Sequence, residues 1–201
     1  MSISKPSLFI SFEGIDGCGK STQVKMLVEK FERKKINYLL VREPGSTSIS
    51  EKIRKILLDK ELEEMNSRTE ALLMIASRSQ LTKEIIIPKI KSGCVIIADR
   101  YIDSTIAYQG AGRGLSIELL DKINNFATYG IKPDITFLID LSSKLASNRR
   151  KKSELDRIEK VGNKFQEQVR DQYLKLASEN KNRFVTLDGK PAPENIHKII
   201  W

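Results

Sequence analysis

A glycine-rich stretch of eight residues is the first place where this chain could do chemistry. Residues 14–21, Gly-Ile-Asp-Gly-Cys-Gly-Lys-Ser, match G-x-x-x-x-G-K-[ST], and they lie between a short apolar run and a helical pattern. Such a loop turns tightly, so that its amide groups face one concavity at a helix N-terminus. We predict that it binds a nucleoside triphosphate, with Lys20 reaching the β- and γ-phosphates and the Ser21 hydroxyl ligating Mg²⁺. The predicted triphosphate contacts are Gly14, Ile15, Asp16, Gly17, Cys18, Gly19, Lys20, Ser21 and Thr22.

Four arginines and one acid beyond this loop suggest a second anion site. Asp99 closes the apolar run 95–99, which puts it at the carboxyl end of a predicted strand, where ligands bind in open α/β sheets. A carboxylate there can hold the hydration shell of Mg²⁺, and the neighbouring Arg100 would be aimed at an acceptor phosphate. Arg42, Arg54 and Arg78 are the other arginines of this cluster. We therefore predict a metal site at Ser21 and Asp99, with a second phosphate site beside it.

The segment 149–160, RRKKSELDRIEK, has nine charged residues among twelve. A run of this kind is ordinarily a solvated surface segment. The alternative is a short mobile lid, at about residues 148–160, that supplies cations to the phosphate site.

The elements that must position these residues follow from the apolar pattern. Short runs, mostly rich in β-branched or aromatic residues and apolar on both faces, predict central strands of a covered parallel sheet. Strands alternating with amphipathic helices predict an α/β fold with right-handed crossovers and five parallel strands. The strands are predicted at 8–12, 38–41, 94–98, 135–139 and 184–187. The helices are predicted at 21–35, 50–58, 68–87, 116–129, 162–180 and 193–200. Ser67-x-x-Glu70 has the spacing of a capping box for the third of these helices.

Length and composition limit the class of protein. The 201 residues suit a single domain over residues 1–201, and no stretch approaches the ~18 apolar residues of a membrane span. Two cysteines cannot form a disulfide framework, and the first residues lack the pattern of a signal peptide, so we expect a cytoplasmic protein with no membrane partner. The net charge of +9 indicates anionic ligands without distinguishing polymers from small molecules.

Five motifs then occur in a definite order: FEGIDGCGKST, REPG, the helix of Arg78, DRYIDSTIAYQGAGRG and SELDRIE. In this order and at this spacing, from about residue 9 to the C-terminus, the chain resembles the bacterial thymidylate kinases. The resemblance implies a three-layer P-loop kinase fold, with a five-stranded parallel sheet flanked by helices and a short mobile lid. It implies transfer of the γ-phosphoryl group of ATP to dTMP, giving dTDP and ADP. It also implies dependence on Mg²⁺ and a homodimer.

The same resemblance assigns the acceptor site. Arg54 and Arg100 would face the phosphate of dTMP, while Asp16 would lie near its sugar and the transferring group. If the segment after Asp103 is helical, residues 104 and 108, and residues 105 and 109, form two i, i+4 pairs suited to reading one small base. The implied acceptor contacts are Glu43, Pro44, Arg54, Met74, Arg78, Arg100, Ser104, Thr105, Tyr108 and Gln109.

Two positions depart from the family pattern. Met74 stands where the family usually has a Phe that stacks on thymine; its polarizable sulfur can pack against a ring but offers no flat π surface. Gly17 stands where some members, chiefly eukaryotic, carry an arginine, and the bacterial alternative supplies lid arginines. We favour Arg149 or Arg150 over the lid lysines, because a guanidinium fits phosphate oxygens bidentately. The predicted catalytic set is Lys20, Arg100, Asp16, Arg149, Arg150 and Arg157.

Other functions are weighed against this one. The sequence has no guanine-reading Asn-Lys-x-Asp motif of a regulatory GTPase and no LSGGQ-like signature of a transport ATPase. The runner-up is a different small-molecule kinase, either another nucleoside monophosphate kinase or a deoxynucleoside kinase. The positive net charge would also suit a nucleic-acid-binding protein. The sequence has no helix-turn-helix, zinc or aromatic RNA-binding pattern, so nucleic acid is not an expected partner. Observed turnover of ATP with an acceptor would exclude a further alternative, a non-catalytic nucleotide-binding subunit.

Overall fold

The five apolar runs form one sheet. The computed structural model describes residues 7–149 and 156–201 of the chain. Its strands are β1 (Phe9–Glu13), β2 (Tyr38–Arg42), β3 (Val95–Asp99), β4 (Ile135–Asp140) and β5 (Phe184–Asp188). They are all parallel, in the order β2-β3-β1-β4-β5. The predicted α/β fold with five parallel strands is confirmed, and each strand begins or ends within one residue of its predicted bounds.

Helices connect the strands and cover both faces of the sheet. The α-helices are α1 (Lys20–Arg33), α2 (Ser48–Leu58), α3 (Ser67–Leu81), α4 (Ile87–Lys91), α5 (Ile102–Thr105), α6 (Ile117–Ala127), α7 (Ser143–Arg149), α8 (Asn163–Glu179) and α9 (Pro193–Ile200). Segments of π-helix lie at Thr82–Ile86 and Ile106–Gly112, and a 3₁₀ turn lies at Glu159–Val161. Within the two described ranges, no helix combines the length and the apolar character that crossing a membrane needs.

The central strand β1 shows why both faces must be covered. It is buried along its whole length, with Ile10 and Phe12 in the core cluster formed with α1 and α9. Phe9 belongs to a separate cluster that includes Leu81 of α3 and the π-helical Ile86. Because alternate side chains of a strand point to opposite faces, the sheet lies between two helical layers.

The third helical pattern begins and ends differently from its prediction. The capping box is wrong: the side chain of Asn66 caps α3 by accepting a hydrogen bond from the Thr69 amide at 3.0 Å, and the Glu70 carboxylate is bound by other side chains. The helical course also continues past residue 81 through the π-helical segment into α4. Pro88 lies in the first turn of α4, directly after the π-helical segment.

The carboxyl edge of the sheet brings two predicted site segments together. β1 pairs with β3 in a register that sets Phe12 opposite Asp99. The loop that follows β1 and the Asp99–Arg100 pair that ends β3 are therefore neighbours at this edge, where α/β folds bind their ligands.

Candidate active site

The glycine-rich loop joins β1 to α1, and its geometry demands glycine. Gly14 has φ of 135°, and a Cβ there would lie 2.6 Å from the Ile139 carbonyl oxygen and 2.8 Å from the Cys18 sulfur. Lys20, the first residue of α1, folds back over the loop, and its Nζ donates to the Gly14 and Ile15 carbonyls at 3.0 Å each. The ammonium group thus lies against the loop at the positive end of α1, which is an arrangement that attracts phosphate.

The predicted metal ligands are brought together. The Ser21 hydroxyl donates to Oδ2 of Asp99 at 3.2 Å, linking the start of α1 to the end of β3. A hydroxyl and a carboxylate are oxygen ligands of the kind Mg²⁺ takes, alongside water and phosphate oxygens. The two residues therefore fit the ion.

Arg100 is the centre of a charged network next to the loop. Its backbone adopts a positive φ of 74°, and its side chain is only 14% exposed. Nη2 donates to Oδ1 of Asp16 at 2.6 Å, and the other oxygen of Asp16 accepts from the Tyr108 hydroxyl at 2.7 Å. Burial opposes the charge on Asp16, but Arg100 and Lys20 hold the pKa of this carboxyl well below its usual range. Asp16 is therefore ionised at neutral pH and can accept a hydrogen bond from a ligand hydroxyl.

Two residues that position Arg100 were missed by the sequence analysis. Glu13, fully buried at the end of β1, accepts from the Tyr101 amide at 2.8 Å and from the Ser104 hydroxyl at 2.6 Å, both in the segment that follows Arg100. The Tyr173 hydroxyl also donates to Glu13, at 2.7 Å, and accepts from Nη1 of Arg100 at 3.1 Å. Burial, with Asp103 nearby, raises the pKa of Glu13. The sequence feature that could have identified Glu13 is an acidic residue at the end of an apolar run. No such feature marks Tyr173, since its pattern is that of a core residue of α8.

Arg78 is almost completely buried, with 2% of its surface exposed. Its Nε donates to Glu43 at 2.7 Å, and Nη1 donates to Thr105 at 2.7 Å and to Asn124 at 2.6 Å. Nη2 donates to the Tyr101 carbonyl at 2.9 Å. This guanidinium ties together α3, α5, α6 and the end of β2 and still forms part of the cavity wall described below. Asn124 was not anticipated, because it lies within an amphipathic pattern far along the chain.

The two described arginines of the predicted lid, Arg149 and Arg157, lie in different surroundings. Nη1 of Arg149 donates to the Cys18 carbonyl of the loop at 3.4 Å, and Nη2 donates to the Gly189 carbonyl at 3.1 Å. Arg157 is buried: its Nε donates to the Leu57 carbonyl at 3.0 Å, and its Nη2 lies 2.8 Å from Oε2 of Glu70. Arg150 lies outside the described residues.

Lys20, Asp99 and Arg100 line one cavity of about 800 Å³, within the range of small-molecule sites. Arg54 lies in its wall, donating from Nη1 to the Pro44 carbonyl at 2.9 Å. Among the described residues, Gly14, Ile15 and Arg157 do not line this cavity. Residues 189–193, which follow β5, do line it, although the sequence analysis did not single them out. The predicted residues that line it are Asp16, Gly17, Cys18, Gly19, Lys20, Ser21, Thr22, Glu43, Pro44, Arg54, Met74, Arg78, Asp99, Arg100, Ser104, Thr105, Tyr108, Gln109 and Arg149.

A phosphate loop and a second cluster of cations facing one cavity define a P-loop kinase of small phosphorylated substrates. Comparison with known proteins narrows this class. Residues 12–200 match the family model described as "Thymidylate kinase". The chain is 50% identical to a thymidylate kinase of Fervidobacterium nodosum over 96% of both chains, and 48% identical to one of Thermosipho africanus over 96% of this chain and 95% of the relative. The crystal structure of thymidylate kinase from Ehrlichia chaffeensis is similar with a TM-score of 0.81 and 33% identity, over 96% of each chain. The chain belongs to the thymidylate kinase family.

Proposed function

We propose that this protein transfers the γ-phosphoryl group of ATP to dTMP, giving dTDP and ADP. The observation that carries the proposal is the single cavity that both Lys20 and Arg100 line, since phosphoryl transfer needs a donor and an acceptor held in line. The names of the relatives supply the identity of the acceptor. No general base is required, because the attacking phosphate oxygen of dTMP is already an anion.

The donor nucleotide is bound by the loop. In this proposal Lys20 moves from the Gly14 and Ile15 carbonyls to the β- and γ-phosphates. Ser21 and Asp99 would hold Mg²⁺, which would supply positive charge to neutralise the phosphates of the donor. The adenosine end would extend along residues 189–193, toward which Arg149 reaches.

The acceptor occupies the other part of the cavity. Arg100 and Arg54 bind its phosphate, and the ionised Asp16 accepts a hydrogen bond from its sugar hydroxyl. Arg78, together with Glu43 and Pro44, forms the wall behind the base and sugar. The base is surrounded by Met74, Ser104, Thr105, Tyr108 and Gln109.

Charge on the transferring group is covered by an arginine from the lid side. Arg149 is the described arginine that fits this role, because it already contacts the loop at Cys18. We assign Arg157 a positioning role, on the ground of its burial and its pairing with Glu70. Arg150 keeps its predicted role as the other candidate, and we retain a single kinase domain over residues 1–201 with a lid at about 148–160.

We also propose a homodimer, formed by the outer faces of α3 and α6. These helices contact each other and expose large apolar side chains at Leu72, Leu119 and Phe126, the last with 83% of its surface exposed. Apolar side chains grouped in this way mark an interaction surface. Light scattering should give a mass twice that of one chain. The Phe126→Asp variant should give a mass closer to that of a single chain. We place the protein in the cytoplasm, since both of its cysteines are free thiols.

The test is a coupled ADP-release assay with ATP against each nucleoside monophosphate and thymidine. We expect turnover with dTMP that exceeds every other acceptor. Preference for thymidine would make the protein a deoxynucleoside kinase, and preference for another monophosphate would make it a different monophosphate kinase. No turnover with any acceptor would contradict the proposal.

A further inference from the structure

A buried carboxylate behind the cavity carries an inference about base selection, and this inference rests on the proposed function. Glu70, in the first turn of α3, is 1% exposed and does not line the cavity. It is bound by three side chains from distant parts of the chain, Gln109, Arg113 and Arg157. Gln109 lines the cavity, so Glu70 touches the predicted base pocket from behind.

The contacts use both oxygens of the carboxylate. Oε1 accepts from Nε2 of Gln109 at 3.0 Å and from Nε of Arg113 at 3.1 Å. Oε2 accepts from Nη2 of Arg113 at 2.9 Å and lies 2.8 Å from Nη2 of Arg157. Burial opposes the charge, but the hydrogen bonds from Arg113 and Gln109 and the charges of both arginines hold the pKa of Glu70 below its usual value. Glu70 therefore remains an ion that only accepts hydrogen bonds.

An ionised carboxylate imposes one orientation on the amide beside it. If the Gln109 amide were turned over, its carbonyl oxygen would meet the carboxylate oxygen, which repels it and has no proton to donate. The amide nitrogen is therefore directed to Glu70. The side-chain carbonyl oxygen of Gln109, Oε1, has no hydrogen-bond partner among the described residues, and it is left to serve a ligand.

We propose that Glu70 is a positioning residue that makes the base pocket select an imide. By orienting Gln109, it presents a hydrogen-bond acceptor to the base. In this proposal the acceptor faces position 3 of the ring, where thymine carries an N–H donor that satisfies it and cytosine carries a bare acceptor that it repels. A buried polar group left unpaired is what allows a site to reject a close analogue strongly.

The test compares dTMP with 5-methyl-dCMP, which differs from it only at positions 3 and 4 of the ring. Wild-type protein should prefer dTMP by at least about 10³-fold in kcat/KM. Glu70→Gln can donate as well as accept, so both orientations of the Gln109 amide become available, and the preference should fall at least about tenfold. Because both substrates are measured on one preparation, the ratio does not depend on the fraction of protein that is folded.

Arg113→Met is the matched control. It removes one cation from the same cluster but leaves the carboxylate to accept from Gln109, with Arg157 still paired. Its preference should stay within about threefold of wild type, whatever its stability. An equal loss of preference in Arg113→Met and Glu70→Gln would overturn the proposal, because the cluster would then act only as structural support.

A second variant covers the case in which Glu70→Gln does not fold. Glu70→Asp keeps the charge near both arginines but withdraws it by one methylene group from Gln109, so the preference should fall by an intermediate factor. An unchanged preference in a folded Glu70→Gln or Glu70→Asp protein would overturn the inference while leaving the function intact. A wild-type protein that does not phosphorylate dTMP would instead contradict the function itself.

Discussion

The two halves of the cavity are built by different means. The donor half is formed mainly by the continuous segment 16–22, and within the described parts of the chain Lys20 bonds only to backbone carbonyls of the glycine-rich loop and to the Cys18 sulfur. The acceptor half is a buried network in which side chains from separate elements hold Arg100 and Arg78. In the donor half, the groups predicted to act in catalysis are not the ones that stabilise the fold. In the acceptor half, the same groups do both. Substitutions in the donor half should therefore reduce catalysis alone, whereas substitutions in the acceptor half should reduce both catalysis and stability.

Lys20→Met should give the largest loss of activity. Removing the ammonium that covers the β- and γ-phosphates should lower kcat by about 10³-fold. The melting temperature should change by no more than about 4 °C, since the lysine supports only its own loop. Steady-state kinetics and a thermal melt measure both, with the exposed Lys25→Met as a control that retains kcat. A large fall in melting temperature would break the distinction between the two halves.

Arg100→Ala should lower both the catalytic efficiency with dTMP and the stability of the fold. The loss of a charged contact to the acceptor phosphate should reduce kcat/KM for dTMP by about 10²-fold. The substitution also strips Asp16 of its ion pair and removes a partner of Tyr173, so the free energy of unfolding should fall by about 2–4 kcal/mol. Denaturant titration gives the second value, and the exposed Arg68→Ala should change neither. Normal kcat/KM in folded Arg100→Ala would remove this residue from the acceptor site.

The two described arginines of the lid, Arg149 and Arg157, show the same contrast within a single short segment. Arg149→Ala should lower kcat by about 10- to 10²-fold with little change in stability, because its hydrogen bonds within the described residues go to the backbone carbonyls of Cys18 and Gly189. Arg157→Ala breaks a buried pair with Glu70 and should destabilise the fold by about 3 kcal/mol. Its kcat per folded molecule should stay within a few-fold of wild type. The reverse pattern, with kcat lost in Arg157→Ala alone, would make Arg157 the catalytic arginine.

The same contrast explains what the sequence could predict. The strands were readable because a buried parallel strand is apolar on both faces, and the phosphate loop was readable because its residues are contiguous. The roles of Glu13 and Tyr173 were not readable, since Tyr173 has the pattern of a core residue and the acid at position 13 gains its partners, Tyr101, Ser104 and Tyr173, only when the chain folds. The cap of α3 was misplaced by one residue because Asn66 and Ser67 are both good capping residues, and only the backbone conformation decides between them. The burial of Arg157 in a highly charged segment likewise depends on a partner, Glu70, that lies far away in the sequence.

Met74→Phe should have the smallest effect and would sharpen the description of the acceptor half. Met74 is half-buried, lines the cavity and packs against the core cluster that contains Tyr108 and Phe165. A phenylalanine would offer a flat ring to the base, and aromatic pairs add only about 0.5–1.5 kcal/mol beyond the area they bury. The KM for dTMP should therefore fall by at most about tenfold, while the KM for ATP stays unchanged. Met26→Phe is a suitable control, because Met26 lies on α1 outside the described cavity wall and should leave both constants as they are. If the KM for ATP rose and the KM for dTMP did not respond, Met74 would belong to the donor half, and the boundary between the two halves would have to be redrawn.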